Sequence, residues 1–205
     1  MEQAAVVKNL AEVRSNRRKP ESLARLRAAA RQLFVERGYH ATRPQDIARA
    51  AGLGHGTFYL HFPDKRGCFL DFVELARKEL DGFLRARVAS RKTLEELIIG
   101  TLQAIYDYTE SHPGVLNAAM TDEGVIDTEG AQAIPLLQRW GADWANMIRS
   151  EVKHRQIADI FDPDIVGQAV LGAIHQVAIE STRSGRCREA VVGNLTRFLV
   201  RALRA

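Results

Sequence analysis

The sequence predicts an all-α protein of two parts, a small N-terminal domain of three helices and a larger C-terminal helical domain. Three observations carry this. Apolar residues recur at three- and four-residue spacing almost everywhere beyond Pro20. No alternating polar and apolar run is long enough for a strand. Glycine, proline and acidic breaks punctuate the pattern at helix-sized intervals. At 205 residues the chain can bury a sizeable core without disulfides or metals.

The elements follow in order. Leu23, Leu26, Ala30, Leu33 and Phe34 form one apolar stripe, and Gly38 after Arg37 reads as a C-terminal stop. Thr42-Arg-Pro-Gln45 has the form of a capping box, opening a second helix over about 43–50 that buries Ile47 and Ala48. Ala51-Gly52-Leu53 makes a turn in which glycine supplies a positive φ. A third short helix covers about 54–61. Pro63-Asp64 ends it and caps a fourth from Lys65 towards Leu84, with Phe69, Phe72, Val73, Ala76 and Leu80 inward. Further helices are expected near 93–111, 114–121, 131–153, 163–183 and 188–203. Breaks fall at His112-Pro113-Gly114, Thr121 to Gly130, Asp159 to Pro163, and Ser184-Gly185. The expected organisation is a basic arm over 1–20, a helix-turn-helix domain over 21–66 and a second domain over 67–205, the two domains sharing the fourth helix.

Charge separates the parts. Residues 1–66 carry 13 Lys and Arg against 6 Asp and Glu, while 67–205 carry 16 against 19. The balance points the first part towards a polyanion. Two distant cysteines, Cys68 and Cys187, with no export signal or apolar run of membrane-spanning length, point to a reducing cytoplasm.

The stretch GLGHGTFYLHFPDK, residues 52–65, tests whether the chain cradles a nucleotide. A dinucleotide fingerprint needs a third glycine where Thr57 stands, and a preceding strand. A P-loop needs Gly-Lys-Ser/Thr, but Gly56-Thr57 is followed by Phe58. Neither fits. What remains is two short helices about a tight turn, the arrangement of a helix-turn-helix whose second helix reads the major groove.

The segment ATRPQDIARAAGLGHGTFYLHFPDKRGCFLDFV, with RAAARQLFVERGYHAT before it, resembles the DNA-binding region of the TetR family of one-component transcriptional regulators. The match is dense from residue 22 to about 75 and continues beyond only in length and helical pattern. It implies a DNA-binding domain followed by a helical ligand-binding and dimerisation domain. The implied function is that of a repressor released from a near-palindromic operator by a small ligand. Gly56 would admit the duplex, and Thr57 and Tyr59 would bond phosphate oxygens. Lys65 would meet a phosphate at a helix start. Arg43 and Gln45 could reach phosphate or a base edge, while Phe58 and Phe62 would pack beneath the reading helix. Family members commonly have serine where this chain has Gly54, so the helix start lacks a side-chain cap. His55 could read a base edge and His61 a phosphate, or both could be exposed histidines bonded to water. The arm bearing Arg14, Arg17, Arg18 and Lys19 either enters a minor groove or only steers encounter.

The resemblance also implies that the last two helices pair with those of a second copy, through faces containing Val166, Val170, Ile174, Val177, Leu195, Phe198 and Leu199, with Gly167 and Gly172 allowing close approach. The alternative is packing within one chain. Two-fold symmetry would set the reading helices about 34–36 Å apart or somewhat more. An effector pocket would be lined by Tyr106, Tyr108, Met120, Trp140, Trp144, Met147 and His175, suiting an apolar or aromatic ligand. As plain core these residues would need no ligand.

Enzyme readings have little to stand on. Glu151-Val-Lys-His154 has a metal-carboxylate spacing, but the second motif and further glutamates that such sites need are lacking. No catalytic residue, metal ligand or cofactor is expected. The rival to a regulator is an architectural or non-specific DNA-binding protein with no effector.

Overall fold

In a computed structural model the described residues are 2–91, 93–121, 136–154, 157 and 159–204, with side chains from residue 19 onward except those of 121, 136 and 182. Among them are nine helices and no strand: α1 (Glu2–Ala41), α2 (Pro44–Ala50), α3 (His55–Tyr59), α4 (Lys65–Val88), α5 (Leu94–Ser111), α6 (Val115–Thr121), α7 (Leu136–Lys153), α8 (Pro163–Ser184) and α9 (Arg188–Leu203). The expected start of the seventh helix at 131 and the break over 122–130 lie outside the described residues, as do the side chains of Arg14, Arg17 and Arg18. No helix among the described residues is long and apolar enough to cross a membrane.

The chain divides into two compact units, one of Met1–Leu75 with Asn117–Asp122, the other of Ala76–Leu116 with Glu123–Ala205. The division falls inside α4. In the first unit α1 is the chassis. Leu26, Ala30, Leu33 and Phe34 are buried as their spacing requires, and Phe34 meets Phe69 edge-on at 5.1 Å. The apolar spacing places the first helix beyond Pro20, with residues 1–20 as an arm; instead α1 runs from Glu2 with Pro20 inside it. It kinks at Gly38, whose φ of +75° only glycine adopts at little cost.

One local expectation is overturned. Thr42 does not cap α2: the N-cap is Arg43, and no side chain accepts a bond there. Thr42 is buried, and its hydroxyl donates back to the Gly38 carbonyl at 2.8 Å. Its proton is spent on closing the end of α1. Pro44 at the first turn has no N–H to satisfy, which lessens the need for a cap.

The second unit is a helical bundle. Leu94, Ile98 and Leu102 of α5, Trp144 and Ile148 of α7, Val170, Leu171 and Ile174 of α8, and Val192, Leu195, Leu199 and Leu203 of α9 form one core. Its helix ends are capped conventionally. Thr93 accepts from Glu96 N at 3.2 Å, and Asp162 from Asp164 N at 2.9 Å. Gly185, at φ +63°, closes α8.

Asp107 ties three helices together. It accepts from Arg188 of α9 at 2.6 Å and from Arg87 in the last turn of α4. Burial pushes its carboxyl up, but the hydrogen bonds and charges of Arg188 and Arg87 outweigh this and hold it below the ordinary carboxylate range. A lowered folded pKa adds stability above the unfolded value, near 3.9, and loses it as pH falls through the folded one. Asp107→Asn is therefore expected to cost about 1–2 kcal/mol at pH 7 after allowance for partial exposure. The gap in melting temperature should persist from pH 7 to 5 and close below about pH 4.

Candidate nucleic-acid interface

Gly52 makes the turn at φ +64°, and Leu53 N–H bonds the Ala48 carbonyl at 2.9 Å. A Cβ on Gly52 would lie 2.6 Å from the Arg25 guanidinium, which donates to the Gly52 carbonyl at 3.1 Å. The turn is thus fixed from α1. Gly54 is the uncapped start of α3, in extended backbone with no side-chain bond, as the sequence implies. Phe58 and Phe62 lie buried beneath α3 with their rings 5.5 Å apart.

Two more contacts hold the unit rigid. Arg27 grips Asp71 of α4 with two parallel bonds of 2.8 and 2.6 Å. Ser22 Oγ lies 2.7 Å from His61 Nε2. Because the Ser22 hydroxyl donates to the Lys19 carbonyl at 3.0 Å, its oxygen must accept from His61, which places a proton on Nε2. His61, expected to meet water or phosphate, is an anchor between the end of the reading helix and α1.

Lys65 is likewise turned inward. Its ammonium donates to the Tyr39 carbonyl at 3.0 Å, lies 3.5 Å from that of His40, and sits 4.1 Å from the centroid of the Tyr39 ring. The last carbonyls of a helix and an aromatic face are good partners for a cation. Lys65→Met is expected to cost about 1–2 kcal/mol of stability through these lost contacts. Operator affinity should fall while the dependence of log K on log salt keeps its slope. A lysine that neutralised a phosphate would instead give up about 0.9 of that slope.

The outward face of α3 is what remains. His55, Gly56, Tyr59 and Leu60 are exposed, Thr57 is half-buried, and Arg43 and Gln45 are exposed at the start of α2. The His55 and Tyr59 rings meet edge-on at 5.2 Å, so each limits the other's rotamers. A Cβ at Gly56 would meet nothing within 4 Å. Nothing inside the chain therefore calls for glycine there. Leu60, absent from the expected contacts, is 74% exposed. Its place one helical turn after Gly56 was the signal that could have found it.

In the second unit Tyr106, Trp140, Trp144 and Met147 belong to or pack on the common core. Tyr108 does not: its buried hydroxyl donates to Glu79 at 2.9 Å, and its ring clusters with those of Phe83 and His112, which also meet each other. His175 is half-buried on α8, and Met120 falls in the first unit. Trp140 Nε1 and Thr196 Oγ1 are buried with no hydrogen-bond partner among the described residues. His154 Nδ1 lies 2.8 Å from the Ser150 carbonyl, and no group of three metal-ligating side chains occurs among the described residues.

The expected dimer residues need correction. Val170, Ile174, Leu195 and Leu199 are buried within the chain, and Val166 and Val177 pack on the same core. Gly167 approaches α7, with a Cβ there falling 2.5 Å from the Gly141 carbonyl oxygen. The exposed apolar stripe lies on the opposite side of α8, through Ile165, Ala169, Gly172 and Ile179. Of the expected set Phe198 is 62% exposed and Val166 and Val177 are half-buried.

A helix-turn-helix braced from behind and exposing one short helix beside basic residues defines a DNA-binding regulator. Residues 26–72 match the family model described as bacterial regulatory proteins, tetR family. The chain is similar to the HTH-type transcriptional repressor KstR2 of Rhodococcus jostii, 40% identical over 80 residues, a match spanning 37% of this chain and 39% of that relative. It is similar over more of its length to the HTH-type transcriptional regulator EthR of Mycolicibacterium smegmatis, 24% identical over 189 residues, 86% of this chain and 83% of the relative. The fold is that of the transcriptional regulator FadR from Bacillus subtilis, solved in complex with stearoyl-CoA: TM-score 0.70, 17% identity, 87% of this chain and 97% of that one. Residues 26–72 thus form a domain similar to that of the tetR-family regulators.

Proposed function

We propose that the protein is a homodimeric, ligand-released repressor that binds a near-palindromic operator through α3. The observation that carries the reading is the division of labour along residues 52–65. Gly52, Phe58, His61, Phe62 and Lys65 are engaged within the first unit, whereas His55, Gly56 and Tyr59 are turned outward. Tyr59 and Thr57 supply hydroxyls for phosphate oxygens, Arg43 and Gln45 flank them, and His55 faces a base edge. Dimerisation is assigned to the stripe of Ile165, Ala169, Gly172 and Ile179 with Phe198, since each of these is exposed and apolar. Sequence selection from random duplexes at fixed salt tests the reading. A regulator should return a two-fold symmetric site and prefer it over random DNA by about a thousandfold or more, whereas an architectural protein returns no consensus.

An apolar effector suits the second unit because its core is rich in aromatic and aliphatic side chains. The unpaired Trp140 Nε1 would donate to one acceptor on such a ligand. A structural neighbour holds stearoyl-CoA, so acyl thioesters are the first class to assay. The measurements are tryptophan quenching and release of operator DNA. A ligand can release DNA only if it binds the released state more tightly.

A further inference from the structure

We propose that Gly56 and Leu60 form a notch that receives the 5-methyl group of a thymine in the operator's major groove. The inference rests on the reading of α3 as the operator-binding helix. Positions 56 and 60 stand one turn apart on the same side of the helix, and the Leu60 backbone remains right-handed helical at φ −73°, ψ −18°. They make a second row beside His55 and Tyr59, also one turn apart. One row is polar and aromatic, the other is bare backbone and an aliphatic side chain.

Leu60 offers no donor or acceptor, so it can bond neither phosphate nor a polar base edge. At 74% exposure it also contributes little to the chain's own core. The major groove has one apolar feature, the thymine methyl. Gly56 supplies the room: its backbone is helical, and the space its Cβ would fill is open. A methyl group lodged there would lie against bare backbone and the Leu60 side chain. The basic balance of residues 1–66, with Arg43 exposed at the start of α2, fits a polyanion as the occupant of this face.

The test uses the full-length protein and the operator obtained by selection. Each thymine is replaced in turn by deoxyuridine, which removes only the methyl group. One thymine per half-site should lose about fourfold in affinity on replacement, the worth of one buried methyl. Leu60→Ala should bind the thymine and uracil operators equally. Gly56→Ala, whose added methyl meets nothing in the free protein, should melt no lower than the parent, bind the thymine operator more weakly, and lose the discrimination. If no replacement matters, or if the thymine preference survives in Leu60→Ala, the notch is wrong while the repressor reading stands. If selection returns no preferred sequence, the repressor reading fails and the notch with it.

Discussion

Phe198→Asp is expected to turn the protein into a monomer, seen as a halved mass in sedimentation at micromolar concentration. Operator affinity should fall by about a hundredfold or more, because one reading head then binds without the second held in place beside it. Phe198 is 62% exposed, so a carboxylate there stays hydrated in the isolated chain, which should keep its helical content while losing only the stability that association adds. In a dimer the same carboxylate would be buried against its symmetry mate, two like charges removed from water without a partner. Ile165→Asp, 69% exposed on α8, should act the same way. Val170→Asp should not. Val170 is buried in the core, so that variant is expected to fail to fold and not to dissociate as a folded monomer. Retention of dimers in both Phe198→Asp and Ile165→Asp would place the interface elsewhere.

Gly167→Ala is expected to destabilise the second unit by about 3 kcal/mol, at the upper end of overpacking costs. A Cβ at this position would lie 2.5 Å from the Gly141 carbonyl oxygen and 2.6 Å from the Ala145 nitrogen. Both are backbone atoms, so no rotamer change can make room, and α7 and α8 must move apart. Gly172→Ala is the control. Five residues along the same helix, its Cβ would meet nothing within 4 Å, and replacing a mid-helix glycine by alanine ordinarily stabilises by about 0.5–1 kcal/mol. Chemical denaturation of the two variants, each made in the Phe198→Asp background so that the dimer stripe is unpaired, separates an intramolecular crossing at Gly167 from a surface at Gly172 that is open within one chain. Equal effects would contradict it.

The two glycines illustrate what the sequence could and could not decide. Periodicity located α8 and α9 to within a residue or so at each end, because Asp162, Gly185 and the apolar spacing are local signals. It could not choose between faces. α8 is apolar on two opposite sides, with Val170 and Ile174 on one and Ile165 and Ile179 on the other, and spacing says only that both exist. The choice belongs to long-range packing against α7. In the first unit Gly52 and Gly54 were legible from their place in the motif. Thr42 was not, since a capping box and a threonine folded back onto α1 have the same spacing. Lys65 shows the same limit: a charge at a helix start can be read, but the direction of its stem depends on where Tyr39 comes to rest. The effector-lining set mixed residues from three settings because helical spacing carries no information about which cores meet.

The brevity of α3 has a consequence for how this protein could acquire a new target. Its outward positions, His55, Gly56, Tyr59 and Leu60, take no part in the side-chain hydrogen bonds that Ser22 and Arg25 make to its flanks, or in the ring packing of the buried Phe58 and Phe62. Reading and anchoring are therefore separable. Four codons could be exchanged to rewrite the sequence preference while the scaffold was inherited intact. A gene duplicate could drift to a new promoter in a few steps, and an engineer could build mutually blind switches from one chassis by randomising the same four sites.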